Sequence, residues 1–148
     1  MLCLSSLAYD MFYIYFMCNL LMHPGHTVTF AENGADALEM MTAQYIVQDS
    51  SVAAVKFDVV LMDLQMPIMD GLESTARLRQ FEMDLNSANG SDVRQFILGL
   101  SANSDTDTMN AAFKAGIDAF IPKPFNVESF KDKYRNWLNK VKQNSLRI

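Results

Sequence analysis

The chain has 148 residues, half of them apolar and a fifth charged, with 17 acidic side chains against 12 basic ones and a formal charge of -5. That length carries one buried core but not two independent ones, and the composition lies well away from disordered chains, which are poor in apolar residues and rich in charge. The acidic balance argues against a nucleic-acid surface, because phosphate backbones are held mainly by clustered Lys and Arg. The basic residues from Lys131 to Arg147 alternate with polar ones and read as a solvated helix face.

Met1 to Met22 holds a single charged side chain, Asp10, among Leu, Met, Phe and Tyr. A membrane span needs about 20 apolar residues, but Asp10 falls near the middle, Asn19 adds a polar cost and no basic residue flanks the stretch. A secretory signal would open with positive charge and close on small residues, which this segment lacks. The preferred reading is a first strand over Leu2 to Ala8 and a first helix over Met11 to Met22, since the rest of the chain lacks those two elements. That helix is apolar nearly all round, whereas a helix outside a sheet shows a polar face. A dimer or interdomain contact, a membrane-proximal position, and a mispredicted or truncated N-terminus with foreign sequence all account for the mismatch. Cys3 and Cys18, without a CxxC or a His at ligand spacing, are expected as reduced, buried thiols. His23 and His26 flank Pro24-Gly25, a tight connection, and are expected at the surface.

From Gly25 onward short apolar runs alternate with helix-period segments, the signature of an α/β fold with a parallel sheet. Thr27 to Phe30 reads as a strand. Asn33-Gly34 turns the chain into a helix with Leu38, Met41 and Tyr45 on one face. Phe57 to Met62 ends in four apolar residues, as in a strand covered on both faces. Asp70 caps a helix with Glu73 three positions on, so that two orphan amides are answered by side chains. Phe96 to Leu100 is the next strand, Ser104 an N-cap with Asp107 three residues later, and Met109, Ala112, Phe113 and Gly116 one side of the helix that Gly116 ends. Ala119 to Ile121 makes the last strand. After Asn126, a natural cap, the residues Val127, Phe130, Tyr134, Trp137, Leu138 and Val141 form an amphipathic stripe whose Trp belongs to the core. Ile46 to Lys56 and Glu82 to Arg94 look like insertions, as surface loops or helix extensions.

Three strand ends carry the polar residues of interest: Asp63 after the third strand, Ser101 after the fourth, Lys123 shortly after the fifth. In an open α/β sheet the crevice at the carboxyl ends of the strands binds ligands, so the three can converge. A carboxylate can attack phosphorus to form an acyl phosphate, and the transferring group then needs a cation, a fixed ammonium and hydroxyl or amide donors. Taken singly each residue also has an ordinary role: Asp63 in a turn, Ser101 capping a helix, Lys123 solvated.

Order and context add weight. The stretch Val59-Val60-Leu61-Met62-Asp63-Leu64-Gln65-Met66-Pro67-Ile68-Met69-Asp70-Gly71 resembles the phosphoacceptor segment of two-component response-regulator receiver domains. Leu98-Gly99-Leu100-Ser101-Ala102-Asn103 is similar to their switch-hydroxyl segment, and Gly116 to Phe125 to their lysine segment. Gly25 to Val28 and Ala31 to Leu38 resemble the family's second strand and the start of its second helix, and the wording is nearest to receivers attached to hybrid histidine kinases.

The resemblance implies a doubly wound, five-stranded parallel (βα)5 sheet of flavodoxin-like topology, with an atypical first strand and helix in residues 1–24, a receiver core over 25–143 and a tail over 144–148. It implies Asp63 as phosphoacceptor, Ser101 as the reorienting hydroxyl, Phe120 as the switch aromatic and Lys123 as the ammonium that pairs with the phosphoryl group. Lys123-Pro124 is implied to be cis. Mg²⁺ would be held by Asp63, the Gln65 backbone carbonyl and Asp10, which stands where the family carries an acidic pair; here that pair reads Tyr9-Asp10, so a weakened site is expected. The partner implied is a histidine kinase or histidine phosphotransfer protein, with a homodimer as an option, in the cytoplasm and away from membrane. Slow self-dephosphorylation by water is implied, and no attached effector domain is expected after the last helix.

Three rivals stand beside this reading: a degenerate receiver acting only as a protein-binding module; a phosphatase on a similar sheet, disfavoured because position 65 is Gln rather than a second Asp; and a nucleotide or flavin module, disfavoured by the lack of a glycine-rich loop after the first strand.

Overall fold

The computed structural model of the chain describes residues 2–4, 27–46, 57–103 and 105–145. In chain order these form β1 (Leu2–Leu4), β2 (Thr29–Ala31), α1 (Gly34–Ile46), β3 (Val60–Asp63), α2 (Gly71–Asn89), β4 (Ile97–Ser101), α3 (Thr106–Ala115), β5 (Ala119–Pro122) and α4 (Val127–Ser145). The sheet is parallel throughout, in the order β2-β1-β3-β4-β5. The doubly wound, flavodoxin-like reading therefore holds. The expected first helix, the rest of the first strand and Asp10 lie outside the described residues, as do residues 47–56.

The unbroken apolar run of the third strand has a direct cause, because successive strand side chains point to opposite faces and both faces are covered. Val60 and Met62 join Ala37 and Met41 of α1, Leu78 of α2 and Ala112 of α3 on one side. Val59 and Leu61 join Phe96, Leu98, Ile121 and the α4 side chain Phe130 on the other. Each fully buried Val, Leu, Ile, Phe or Met among them contributes roughly 1.5–3 kcal/mol. The core role read for Trp137 is met by its stacking on Phe96, with ring centroids 4.6 Å apart. Val141, at the far end of the same stripe, is exposed.

Helix ends follow side-chain chemistry. Asn33 Oδ1 accepts from the Ala35 and Asp36 amides, Asp70 from that of Glu73 and Asn126 from that of Ser129. Two local expectations need correction. The cap of α3 is Asp105, which accepts from Thr108 N at 2.8 Å, and not Ser104, which lies outside the described residues. The Glu73 carboxylate turns forward to Arg77 at 2.6 Å, an i,i+4 pair, instead of completing a capping box. Of the two readings of Glu82 to Arg94, surface loop or helix extension, the helix extension holds at its start, since α2 runs on to Asn89, and Glu82 is buried there at 3% exposure. Strands β3, β4 and β5 each end one residue later than the apolar runs suggest, because Asp63, Ser101 and Pro122 are polar or ring-closed yet still in register, Asp63 with Leu100 and Ser101 with Pro122. Among the described residues no helix is long and apolar enough to cross a membrane.

Candidate functional site

Because β3, β4 and β5 are neighbours running the same way, their last residues meet along one edge of the sheet. Asp63 closes β3 at 3% exposure and Ser101 closes β4 at 2%. Lys123 follows directly on β5; its backbone amide donates to the Ser101 carbonyl at 2.8 Å, continuing the ladder past the strand. Its ammonium reaches across β4 to donate to Asp63 Oδ2 at 2.7 Å. The Lys123-Pro124 peptide bond is cis. Asp63 Oδ1 accepts from the Gln65 backbone amide at 3.1 Å, so both carboxylate oxygens have a donor. Charge-assisted bonds of this kind are about twice as strong as neutral ones. Ser101 Oγ accepts from the Asn103 amide at 3.1 Å.

The loop from Leu64 to Asp70 rims this edge and is tied down at several points. Leu64 N donates to the Leu100 carbonyl, and Gly71 N returns to the Leu64 carbonyl at 3.2 Å. Gly34 N donates to the Met69 carbonyl at 3.0 Å, and Ser74 Oγ to the Gly34 carbonyl at 2.8 Å. Glycine is needed at two of these positions for space: a Cβ on Gly71 would overlap the Asp63 carbonyl oxygen, and one on Gly34 would lie 2.8 Å from the Asp70 carbonyl. Phe120 is buried in the core on the α1–α3 side, where its ring lies beside Gly99. Gln65 is exposed at the mouth of the edge.

Asp63, Ser101 and Lys123 are thus brought together, with Gln65 beside them and Phe120 one layer below. Asp10, the remaining expected ligand, is outside the described residues. Among the described residues no three His, Cys, Asp or Glu side chains gather to hold a metal. The oxygen donors present, the Asp63 carboxylate and the Gln65 carbonyl, are of the hard type that Mg²⁺ takes, an ion content with one or two carboxylates plus retained waters.

A polar cluster at the opposite edge was not foreseen. Arg79 donates to Asp118 at 2.8 Å, to Glu82 at 2.6 Å and to the Gly116 carbonyl at 2.9 Å. Arg94 also reaches Asp118, at 2.7 Å. Glu82 and Asp118 then accept the backbone amides of Gln95 and Ile97. The signal was in the helical spacing, since Gly71, Thr75, Leu78 and Glu82 fall on one buried face of α2.

Comparison with known proteins bears on the site. The family described as response regulator receiver domain matches residues 13–135. Hybrid signal transduction histidine kinase A of Dictyostelium discoideum is 33% identical over 111 residues, covering 75% of this chain and 4% of the kinase. Response regulator MprA of Mycobacterium ulcerans is 32% identical over 118 residues, covering 80% of this chain and 42% of the regulator. Among solved structures, the receiver domain of the histidine kinase CKI1 from Arabidopsis thaliana, complexed with Mg²⁺ and BeF₃⁻, matches with a TM-score of 0.72 at 24% identity, covering 91% of this chain and 88% of that one. The receiver domain of a sensor histidine kinase from Pseudomonas aeruginosa, with a magnesium ion coordinated in its active site cleft, gives 0.66 at 22%, covering 93% and 95%. At these identities the structural matches show the fold. The chain spans only 4%, 6% and 9% of hybrid signal transduction histidine kinases A, E and K of Dictyostelium discoideum.

Proposed function

This chain belongs to the response regulator receiver domain family of two-component phosphorelays, and on that premise we propose that it takes a phosphoryl group from a phosphohistidine partner onto Asp63 and changes conformation in response. Receivers are signalling domains and not conventional enzymes. The observation that carries the reading is the Lys123 ammonium 2.7 Å from Asp63 Oδ2 at the carboxyl edge of the sheet, with Ser101 at the end of the adjoining strand.

In the proposed reaction an Asp63 carboxylate oxygen attacks phosphorus in line with the phosphoimidazole P–N bond. The P–O bond forms as the P–N bond breaks, and the imidazole leaves with its electron pair and takes a proton. Lys123 exchanges its carboxylate contact for the phosphoryl oxygens, and the Ser101 hydroxyl turns to donate to one of them. Movement of Ser101 away from its present place opens room for Phe120 to follow, the step that carries the signal to the surface. Mg²⁺, when bound by Asp63, the Gln65 carbonyl and Asp10, would supply positive charge against the developing negative charge. Two similar structures, each described with magnesium, lend support to that assignment. The partner proposed is a histidine kinase or histidine phosphotransfer protein, as the relatives' names suggest.

The test is intact mass after incubation with Mg²⁺ and acetyl phosphate. One added phosphoryl group is expected, absent from Asp63→Asn. A group retained by that variant would place the chemistry elsewhere, and none on the parent chain would leave a protein-binding module without phosphorylation.

A further inference from the structure

Ser74 lies one turn into α2 and is wholly buried. A serine inside a helix usually faces water or bonds the carbonyl four residues back. The Ser74 hydroxyl does neither: it leaves its helix and donates to the Gly34 carbonyl at 2.8 Å, 40 positions away in the chain. Gly34 opens α1, so its carbonyl also stands in that helix's ladder, where the amide of residue i reaches the carbonyl of i−4. The carbonyl is therefore satisfied without Ser74, and alanine is the better helix former. Neither helix nor core calls for a hydroxyl at this position. The side chain must nonetheless be small, because a Cβ on Gly34 would lie 3.0 Å from the Ser74 Cβ. Between serine and alanine there the difference is one oxygen.

The Gly34 amide supplies the reason for that oxygen. As one of the first amides of α1 it has no partner within its own helix, and it donates to the Met69 carbonyl at 3.0 Å. Met69 closes a strained turn: its amide donates to the Pro67 carbonyl at 2.7 Å, and Ile68 between them has a φ of +68°, an outlier for a β-branched residue. Backbone in such a state persists only where its surroundings hold it. The near side of the loop is held at Leu64, whose amide bonds the Leu100 carbonyl and whose carbonyl takes the Gly71 amide. The far side is held by Gly34, and Gly34 by Ser74. Gln65 lies between the two anchors, with its amide on Asp63 Oδ1 at 3.1 Å and its carbonyl the oxygen assigned above to Mg²⁺.

Resting on the receiver reading above, we infer that Ser74 is a positioning residue of the phosphoacceptor site: through Gly34 and Met69 it holds the strained loop in the shape that keeps Gln65 against Asp63 and presents the Gln65 carbonyl to Mg²⁺. Without the hydroxyl, Gly34 keeps its helix but not its fixed place. The Met69 carbonyl then loosens, Ile68 relaxes toward negative φ, and the Gln65 carbonyl moves off. The loss falls on metal affinity and not on bond making, because Asp63 and Ser101 are fixed by strand register and Lys123 by its amide on the Ser101 carbonyl.

The experiment compares the full chain with Ser74→Ala, and with Gly90→Ala as a control at the far end of α2. Without Mg²⁺, hydrogen exchange followed by NMR should find the Gly34 amide about fivefold faster or more in Ser74→Ala, with the later amides of α1 as in the parent. Outer-shell partners of a metal ligand are worth about 10–100-fold in affinity, and Ser74 stands further out, so the Kd for Mg²⁺ by NMR titration should rise about threefold to tenfold. With acetyl phosphate, Ser74→Ala should need correspondingly more Mg²⁺ for its half-maximal rate, and saturating Mg²⁺ should restore the parent rate. Gly90→Ala should change none of these, and the urea midpoint of Ser74→Ala should fall no further than that of the control. A Gly34 amide that exchanges as in the parent, an unaltered Kd, or a rate deficit that saturating Mg²⁺ leaves in place overturns the inference while Asp63 remains the acceptor. A parent chain that takes no phosphoryl group at any Mg²⁺ concentration sinks the receiver reading beneath it.

Discussion

Lys123 and Asp63 stand 60 positions apart in the chain and 2.7 Å apart in the fold, with side chains only 19% and 4% exposed. A carboxylate held this far from water relies on the ammonium and the Gln65 amide for what solvation it has. The pair therefore has a structural role before any phosphoryl group arrives.

Removing one partner should reveal that role. Lys123→Ala is expected to keep the fold but to cost about 1–3 kcal/mol, the price of a buried acceptor losing a charged donor. Urea unfolding of Lys123→Ala, Asp63→Asn and the double variant tests this: the double variant should recover most of the loss, because no lone buried charge remains. A loss in the double variant equal to the sum of the two would show that the pair does not couple. In Lys123→Ala the spectral change on phosphorylation should also shrink.

Gly71 sets the path of the chain beneath Asp63. A Cβ there would overlap the Asp63 carbonyl oxygen and stand 2.9 Å from Met62 Cγ, and a backbone atom in a sheet cannot step aside cheaply. Gly71→Ala should destabilise by about 1–3 kcal/mol and slow phosphorylation by acetyl phosphate, as the acceptor shifts. Gly90, at φ +63° with nothing within 4 Å of a Cβ, is the control: Gly90→Ala should cost about 1 kcal/mol through its left-handed backbone alone and leave phosphorylation unaltered. Normal phosphorylation in a destabilised Gly71→Ala protein would contradict the positioning argument.

The cluster at the far edge makes a contrast between neighbours. Arg79 and Asp118 have side chains 13% exposed each, whereas Arg94 is 53% exposed. Asp118→Ala leaves the Ile97 amide without its acceptor and takes one of three partners from Arg79, and should cost about 1–3 kcal/mol. Arg94→Ala removes a solvent-screened partner and should cost under about 1 kcal/mol. Thermal or urea denaturation of the two variants decides it, and equal losses would mean that Arg94 is the real tie.

Tyr45 offers a pH signature. Burial first, then the Glu82 carboxylate, raises its phenol from 10.0 to about 12, and its ring lies 6.1 Å from that of Phe81. With the folded value above the unfolded one, the neutral phenol's contribution to stability is whole below pH 10 and is lost as pH climbs through about 12. The ultraviolet titration of the parent, less that of Tyr45→Phe, should show one phenolate step near pH 12. A step near pH 10 in that difference would mean that Tyr45 is solvated.

Where the elements lie was legible in the chain because helix caps, apolar runs and helical spacing act over a few residues. Asn33, Asp70, Asn126 and Gly116 each decide a helix end with groups no more than a turn away, and the run from Val59 to Met62 announces a strand covered on both sides. The positions of Asp63, Ser101 and Lys123 at three strand ends were readable for the same reason. What tertiary structure decided was their distance. It depends on β3, β4 and β5 lying side by side in one direction, and on a register that carries Lys123 past Ser101. Glu82 looked like the start of an insertion because a carboxylate in a polar stretch usually faces water; it is buried because Arg79 and the Gln95 amide receive it. The strain at Ile68 was hidden as well, since nothing in Met-Pro-Ile-Met-Asp requires a positive φ until Gly34 holds the Met69 carbonyl. Local free-energy preferences are written into each short window of sequence, while pairings across dozens of residues exist only once the packed sheet has fixed the geometry in which charge meets charge.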